Sequence, residues 1–244
     1  MNPPRVASRS GIRDSEPVNL ADGFSGFPIT AFCIPERYVP YLDKVLVSNG
    51  MIKDRLQRLA AHIVESYEHL GINNVSLMCV LKGGFKFFSD LIEEMQRIIW
   101  SRSTQLCIAV EFIRVKSYTD TVSGTVGIRP IDNAMPIIGK NILIVDDICD
   151  TGKTLVKLSE HLIDAGAKSV MTCCLLLKNT KLNIGCRPDF LGFEIPDEFI
   201  VGYAIDYNEC FRDLSHICSI NEKAKVTFSS HRDVELGKLP APTP

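Results

Sequence analysis

The sequence lacks several features that would assign a chain to a class at once. No apolar run reaches the roughly 18 residues that a membrane-spanning helix needs, and residues 1–5 show no apolar core of the secretory kind. The three arginines of the first 13 residues hint at an organelle transit peptide, but Pro3, Pro4 and Gly11 interrupt the helix it would need. A net charge of −2 leaves no basic excess for nucleic acid. We expect a cytoplasmic protein with neither nucleic-acid nor membrane partners.

The cysteines also lack a pattern that would mark a metal or disulfide site. There are nine, an odd number, and no two form a C-x-x-C pair. This favours reduced thiols that pack as small core residues in a cytosolic protein. Cys149 lies among acidic residues, but no candidate base accompanies it, so we interpret it as a packing residue as well.

Short apolar strands alternate with amphipathic helices between two polar ends. Residues 1–27 are predicted to be disordered and residues 229–244 to form a flexible tail, which leaves 28–228 as the domain. Strands are expected at residues 76–81, 106–113, 141–145 and 170–177. The alternation predicts an α/β, Rossmann-like fold with a twisted, mostly parallel sheet flanked by helices.

The alternation stops between Tyr118 and Gly139, where glycine and proline are frequent and apolar periodicity is weak. A long irregular segment inside a compact domain usually has a function, so we predict a flexible lid loop. The alternative is an insertion that the fold merely tolerates.

The most informative segment begins with four apolar residues, 142–145, that lead into Asp146 and Asp147. Asp150 follows, and a Thr-Gly-Lys-Thr turn at residues 151–154 then opens a helical pattern. A strand ending in this way presents carboxylates at its carboxyl end and free backbone N–H groups at a helix N-terminus. The motif therefore predicts a binding site for a phosphorylated sugar, in which the acids bind the sugar hydroxyls and the backbone amides bind the phosphate.

Three other interpretations of this segment fit less well. A P-loop would need glycine at position 147, where this chain has Asp147. A phospho-receiver domain also places paired acids at a strand end, but the Thr-Gly-Lys-Thr continuation fits it poorly. An ordinary turn with solvated acids leaves the mutual repulsion of three carboxylates unexplained.

The motif resembles the signature of the phosphoribosyltransferases that bind 5-phosphoribosyl-1-diphosphate. Over roughly residues 28–226 the chain is similar to the hypoxanthine-guanine type within that family. The other matching segments follow in the same order at residues 80–87, 112–118, 187–190, 192–196, 201–208 and 211–214. The resemblance implies the type I fold with a small hood subdomain, and a homodimer or homotetramer. It also implies transfer of the phosphoribosyl group to N9 of hypoxanthine or guanine, giving IMP or GMP and pyrophosphate.

The resemblance assigns the acids and the turn their roles. Asp150 corresponds to the acid that faces N7 of the purine and accepts its proton. Asp146 and Asp147 correspond to the ligands of the ribose hydroxyls. The 5′-phosphate would lie on the turn that follows Asp150, formed by Thr151, Gly152, Lys153 and Thr154.

Two further segments correspond to the family's pyrophosphate side. Lys82 and Gly83 resemble its pyrophosphate loop, where relatives can have a cis peptide; here it would be Leu81–Lys82 or Lys82–Gly83. Arg212 corresponds to a pyrophosphate contact. The implied cofactor is Mg²⁺, with Asp206 as a metal ligand and Asp147 as a second one.

The base pocket follows from the same resemblance. Lys178 would donate to O6 of a 6-oxopurine, Phe199 would stack on the ring, and Ile200 would offer its backbone carbonyl. Ser117 and Tyr118 correspond to the start of the lid that closes over the reaction. The expected ligands are therefore 5-phosphoribosyl-1-diphosphate, a 6-oxopurine base and a purine mononucleotide.

The chain departs from the family pattern in three ways. Asp146 stands where the family has glutamate, and Asn179 stands where we expect arginine. The lid is about one residue shorter than in relatives and differs beyond Tyr118. These differences keep a second hypothesis open, in which the chain is a weakly active or regulatory nucleotide-binding homologue with the same fold.

Overall fold

The strands of the chain form two sheets, and helices pack against them. The computed structural model describes residues 16–20, 23–117, 126–130 and 137–229, and for 116–117 and 126–130 it describes the backbone alone. The main sheet contains β1 (Val18–Asn19), β3 (Asn74–Leu81), β4 (Cys107–Ser117), β5 (Val126–Pro130), β6 (Asn141–Cys149), β7 (Ser169–Lys178) and β8 (Phe190–Ile195). The second sheet contains β2 (Leu42–Val47), β9 (Ile200–Val201) and β10 (Ile217–Ile220). The α-helices are α1 (Asn49–His69), α2 (Phe85–Arg102), α3 (Lys153–Asp164) and α4 (Glu222–Thr227), and 3-10 turns lie at Ile29–Ala31 and Val39–Tyr41.

The main sheet confirms the predicted fold class. Its strand order is β1-β8-β7-β6-β3-β4-β5, and every neighbouring pair is parallel except β4 and β5. The three strands that carry candidate site residues at their carboxyl ends, β3, β6 and β7, are therefore neighbours. Parallel strands end at the same edge, which is where ligands bind in open α/β sheets.

The apolar residues of β6 explain why helices cover both faces of the sheet. Leu143 and Val145 belong to the cluster packed against α1 and α2, whereas Ile142 and Ile144 belong to the cluster packed against α3. Successive side chains of a strand point to opposite faces, so a continuous apolar run needs a covering layer on each side.

The second sheet, with α4, forms the hood that the family resemblance implies. Its order is β2-β10-β9, all antiparallel, over a separate core that includes Val45, Val201, Phe211 and Phe228. Phe199 and the segment from Tyr203 to Leu214 lie at the edge of this hood. The hood therefore supplies the part of the candidate site that the main sheet does not.

Two predictions about the connecting segments need correction. Disorder up to residue 27 is wrong for the described part, because Val18 and Asn19 pair with β8 and Phe27 bridges Val45. The segment between Tyr118 and Gly139 is not irregular throughout, since β5 lies within it and pairs with β4. The five residues of β5 include Gly127 and Pro130, residue types that are uncommon in strands, so the strand gave little local signal. Residues 1–15, 21–22, 118–125, 131–136 and 230–244 lie outside the described residues, so those parts of the predicted disorder, lid and tail remain predictions.

Candidate active site

The turn after β6 is shaped as an anion site. α3 begins at Lys153, and its N-cap, Gly152, has φ +79° and makes no side-chain capping bond. The first N–H groups of a helix have no partner within the helix, and the helix dipole favours an anion there. A side chain at Gly152 would overlap Cβ of Cys186, so the turn requires glycine for conformation and for space. Thr151 Oγ1 lies 3.5 Å from the Lys153 backbone nitrogen, and Thr154 follows in the first turn of α3.

The two acids that precede the turn are almost completely buried. Asp146 is 7% exposed and Asp147 is 8% exposed. Asp146 Oδ1 accepts a hydrogen bond from the Asp147 backbone N–H at 3.1 Å, and Asp147 Oδ1 accepts one from Ile148 at 2.8 Å. Burial raises the pKa of both carboxyls, and the neighbouring Asp147 charge raises the pKa of Asp146 further. Hydroxyl donors or a bound cation would therefore stabilise the ionised form of both carboxyls.

Gly83 joins the predicted pyrophosphate loop to this acid pair. A side chain at position 83 would overlap the Asp147 carboxylate, and one at Gly84 would approach the Val80 carbonyl oxygen to 2.6 Å. The backbone of the loop thus packs directly on the acids, which glycine alone permits. The peptide bond between Leu81 and Lys82 is cis, as predicted for one of two bonds.

Asp150 and Lys178 meet at the carboxyl edge of the main sheet. The parallel register pairs Cys149 with Leu177, so the residues that follow them become neighbours. Lys178 Nζ lies 3.2 Å from Asp150 Oδ2, with the lysine side chain 12% exposed and the aspartate 51% exposed. A hydrogen-bond donor and a carboxylate acceptor are thereby presented side by side at the opening of the site.

Phe199 completes this part of the site from the hood. Its side chain is 55% exposed, and Lys178 Nζ lies 5.8 Å from its ring centroid. Tyr207 packs edge-on against the ring at 5.9 Å between centroids, and Lys225 Nζ lies over the ring at 5.4 Å from its centroid. The exposed part of the ring is what a base could stack on. The Ile200 side chain is buried in the core, so its backbone is what remains for a ligand.

The predicted pyrophosphate contacts form an ion-pair network centred on an acid that sequence reasoning missed. Glu209 Oε1 lies 3.0 Å from Lys82 Nζ, and its Oε2 lies 3.2 Å from Arg212 Nη2. Arg212 Nη2 also lies 2.8 Å from Asp206 Oδ1. The hydrogen bond from Lys82 is the main cause that lowers the pKa of the Glu209 carboxyl; burial opposes it, and the Arg212 charge then adds to the lowering. The sequence could have suggested the contact between Glu209 and Arg212, because an acid three residues before an arginine is close enough to pair with it. Nothing in the sequence indicates that Glu209 also contacts Lys82.

A second missed residue, Asn183, braces the phosphate turn. Its Nδ2 donates to the backbone carbonyls of Asp150 at 3.3 Å and Cys186 at 3.2 Å, while its Oδ1 accepts from the Cys186 N–H at 2.8 Å. The Ile184 N–H donates to the Thr151 carbonyl at 3.1 Å. The loop between β7 and β8 thus supports the turn from outside, which no local pattern indicates.

The carboxylates fit Mg²⁺ if the ligand supplies the remaining oxygens. Within the described ranges, no group of three or more His, Cys, Asp or Glu side chains is arranged to hold a metal ion. Asp206 contributes to the raised pKa of Asp147, so the two candidate ligands are within electrostatic reach of each other. Mg²⁺ commonly binds one or two carboxylates together with phosphate and water oxygens. Asp147 and Asp206 could supply the carboxylates, and a bound diphosphate the phosphate oxygens.

The cysteines and the lid residues complete the account of the predicted site. All nine cysteines are free. Cys149 is buried, and a hydrogen bond with Cys186 together with burial raises its pKa, which agrees with a packing residue rather than a nucleophile. Ser117 ends β4, but the structure describes only its backbone, and Tyr118 lies outside the described residues.

No helix in the described part of the chain is long and apolar enough to cross a membrane.

Comparison with known proteins agrees with this geometry. Residues 46–208 match the family model of the phosphoribosyl transferase domain. The hypoxanthine-guanine phosphoribosyltransferase of Schistosoma mansoni is 46% identical over 229 residues, which cover 93% of this chain and 80% of the relative. That of Cricetulus griseus is 42% identical over 217 residues, covering 88% and 98%.

Solved structures give the same result. The crystal structure of the Schistosoma mansoni hypoxanthine-guanine phosphoribosyltransferase in complex with IMP matches with a TM-score of 0.75 and 44% identity, covering 87% of this chain and 98% of that one. A Trypanosoma cruzi hypoxanthine phosphoribosyl transferase, studied for the role of its C-terminal region in oligomeric state and activity, matches with a TM-score of 0.68 and 30% identity, covering 76% and 95%.

Proposed function

The chain belongs to the phosphoribosyltransferase family, and from this premise we propose that it is a purine-salvage enzyme of the hypoxanthine-guanine type. It transfers the 5-phosphoribosyl group from 5-phosphoribosyl-1-diphosphate to N9 of hypoxanthine or guanine. The products are IMP or GMP and pyrophosphate.

The 3.2 Å contact between Lys178 and Asp150 carries this proposal. A 6-oxopurine presents O6 and N7 side by side on one edge. Lys178 has only donors and suits O6, while the Asp150 carboxylate suits a proton at N7. Adenine has an amino group in place of O6, so it would leave Lys178 without an acceptor and would be rejected.

The sugar phosphate is bound by the opposite half of the motif. The backbone N–H groups of residues 150–154, with the hydroxyls of Thr151 and Thr154, hold the 5′-phosphate at the start of α3. Lys153 adds positive charge nearby. Asp146 and Asp147 accept hydrogen bonds from the ribose hydroxyls, which supports the ring as it gains positive charge in the transition state.

The leaving pyrophosphate is bound by Lys82, the Gly83 backbone and Arg212. Mg²⁺ held by Asp206, with Asp147 as a second ligand, would neutralise charge on the diphosphate. As N9 bonds to the anomeric carbon, the bond from that carbon to the diphosphate oxygen breaks and the configuration inverts. The purine loses its N7 proton, which the Asp150 carboxylate accepts.

The quaternary structure and location belong to the same proposal. We propose a homodimer or homotetramer in the cytoplasm, as family membership favours. Ser117 and Tyr118 would begin the lid that excludes water from the reacting groups. The whole of residues 28–228 would act as one catalytic domain.

Steady-state turnover with 5-phosphoribosyl-1-diphosphate, Mg²⁺ and each of hypoxanthine, guanine, xanthine and adenine tests the proposal. We expect turnover of hypoxanthine or guanine and none of adenine. Absence of turnover with every base, while IMP still binds, would instead establish the weakly active or regulatory nucleotide-binding homologue.

A lysine variant sharpens that assay. Lys178→Met keeps the length of the side chain but removes the donor, so kcat/KM for hypoxanthine should fall about 10- to 100-fold. Lys181→Met is a matched control, because Lys181 is an exposed lysine three residues further along, and it should leave the rate unchanged. An equal effect of the two substitutions would remove Lys178 from base recognition.

A further inference from the structure

Glu209 occupies the space between two cations that have no other shared partner among the described contacts. Its carboxylate oxygens lie 3.0 Å from Lys82 Nζ and 3.2 Å from Arg212 Nη2. These are the two side chains whose chemistry fits the diphosphate group. In the ligand-free protein, therefore, each of these cations already pairs with a carboxylate.

The backbone around Glu209 is held in an uncommon conformation. Asn208, Glu209 and Phe211 have φ values of +50°, +68° and +70°, a left-handed region that costs free energy for residues other than glycine. The Glu209 N–H donates to Asp206 Oδ2 at 2.8 Å, and Asn208 Nδ2 donates to the Phe228 carbonyl at 2.6 Å. These hydrogen bonds fix the segment so that the Glu209 side chain points at both cations.

The surroundings leave room for an exchange of partners. A cleft of about 720 Å³ adjoins this network and is lined by Lys82, Phe85, Tyr203, Glu209 and Arg212, among other residues. The Glu209 side chain is 38% exposed and that of Lys82 is 56% exposed. Exposed ion pairs are weak individually, so a diphosphate carrying several charges can replace the carboxylate, and the carboxylate can return when the diphosphate leaves.

We propose that Glu209 is an internal competitor of the diphosphate group: it pairs with Lys82 and Arg212 in the empty site, lowers the affinity for pyrophosphate and promotes its release. The inference rests on the proposed function for the identity of the ligand. A purely structural Glu209 would orient the two cations for the ligand, and its loss would then weaken binding. The two roles predict effects of opposite sign.

Calorimetric titration of the ligand-free protein with inorganic pyrophosphate, with and without Mg²⁺, measures that sign. Glu209→Gln keeps the shape of the side chain and removes its charge, so the Kd for pyrophosphate should fall about fivefold. Product inhibition of the forward reaction by pyrophosphate should strengthen by a similar factor. An unchanged or higher Kd in Glu209→Gln overturns the proposal.

Two further variants control for poor folding and for a change in net charge. Glu209→Asn also removes the charge, and asparagine tolerates the left-handed backbone better than most residues, so it should bind pyrophosphate more tightly even if Glu209→Gln folds poorly. Glu93→Gln removes one partner of an exposed helical pair with Arg97, at 2.7 Å, and makes the same change in net charge. It should leave the Kd unchanged; if it tightens binding equally, the effect is one of net charge and the proposal fails.

The proposed function and this inference fail in different ways. If the wild-type protein shows no turnover with 5-phosphoribosyl-1-diphosphate and a 6-oxopurine, the proposed function fails whatever the variants do. If the wild type turns over and the Glu209 variants bind pyrophosphate no more tightly, the inference alone fails.

Discussion

The two proposed anion-binding sides of this site, one for the 5′-phosphate and one for the pyrophosphate, are built in different ways. On the phosphate side, between β6 and α3, the donors are backbone N–H groups beside two acids that are 7% and 8% exposed. On the pyrophosphate side the donors are the cations Lys82 and Arg212, both partly exposed and both already paired with Glu209. One side is preformed by the backbone, and the other is held by side-chain charges that can change partner.

This difference fits the different fates of the two phosphate groups in the proposed reaction. Backbone N–H groups at a helix N-terminus cannot rotate away, and the N-cap residue here, Gly152, makes no side-chain capping bond. They suit the 5′-phosphate, which stays bound through the reaction. Ion pairs at the surface exchange easily and suit a product that must leave. The following changes test the separation between the two sides, from the largest expected effect to the smallest.

Substitution of the proposed proton acceptor should affect chemistry more than binding. Asp150→Asn removes the acceptor for the N7 proton but leaves the turn in place, so kcat should fall about 100- to 10,000-fold. The Kd for IMP should change far less. Asp164→Asn, an exposed acid at the end of α3, is the matched control in the same steady-state and binding measurements. Near-normal turnover in Asp150→Asn would remove Asp150 from its proposed role.

A change confined to the phosphate turn should leave the pyrophosphate side intact. Gly152→Ala places a side chain at φ +79° and against Cys186, so the free energy of unfolding should fall by about 2 kcal/mol and the Kd for IMP should rise. Gly71→Ala, at φ +64° with no atom within 4 Å of the added Cβ, isolates the conformational cost, which should be about 1 kcal/mol.

Pyrophosphate binding separates the two sides in this pair of variants. Neither should change the Kd for pyrophosphate, measured by calorimetry. A large loss of pyrophosphate affinity in Gly152→Ala would show that the two sides are coupled, and it would contradict the proposed separation between them.

The smallest effect concerns stability. Burial and the charge of Asp147 raise the pKa of the Asp146 carboxyl, so ionising it opposes folding, and its contribution to stability is lost as the pH rises above the unfolded value near 4. Asp146→Asn should therefore raise the melting temperature of the ligand-free protein at pH 8, by about 3 °C for each kcal/mol relieved, and by less at pH 5. The exposed Asp43→Asn on β2 should show no such trend. A gain that grows as the pH falls would reverse the assigned cause.

The phosphate side could be predicted from the sequence because its determinants are local. The apolar run before Asp146, the glycine at position 152 and the helical pattern after it all lie between residues 142 and 164. Even the meeting of Asp150 and Lys178 follows from parallel strands ending at one edge. The fold class was confirmed for the same reason, since alternating elements are a local signal.

The rest depended on contacts between distant parts of the chain. Lys82 and Glu209 are 127 positions apart, and nothing in either segment indicates the other. Asn183 braces Asp150 through a backbone carbonyl, which leaves no trace in residue type. The pairing of β1 with β8 likewise needs the folded sheet, and so the predicted disorder extended too far.

The most direct test of the central claim is the reverse reaction, because it requires both sides at once. The protein would be incubated with IMP, pyrophosphate and Mg²⁺, and release of free hypoxanthine would be followed by chromatography. We predict release with IMP and pyrophosphate together, none with IMP alone, and none of adenine from AMP. No hypoxanthine from the complete mixture, or adenine released from AMP at a comparable rate, would contradict a 6-oxopurine phosphoribosyltransferase.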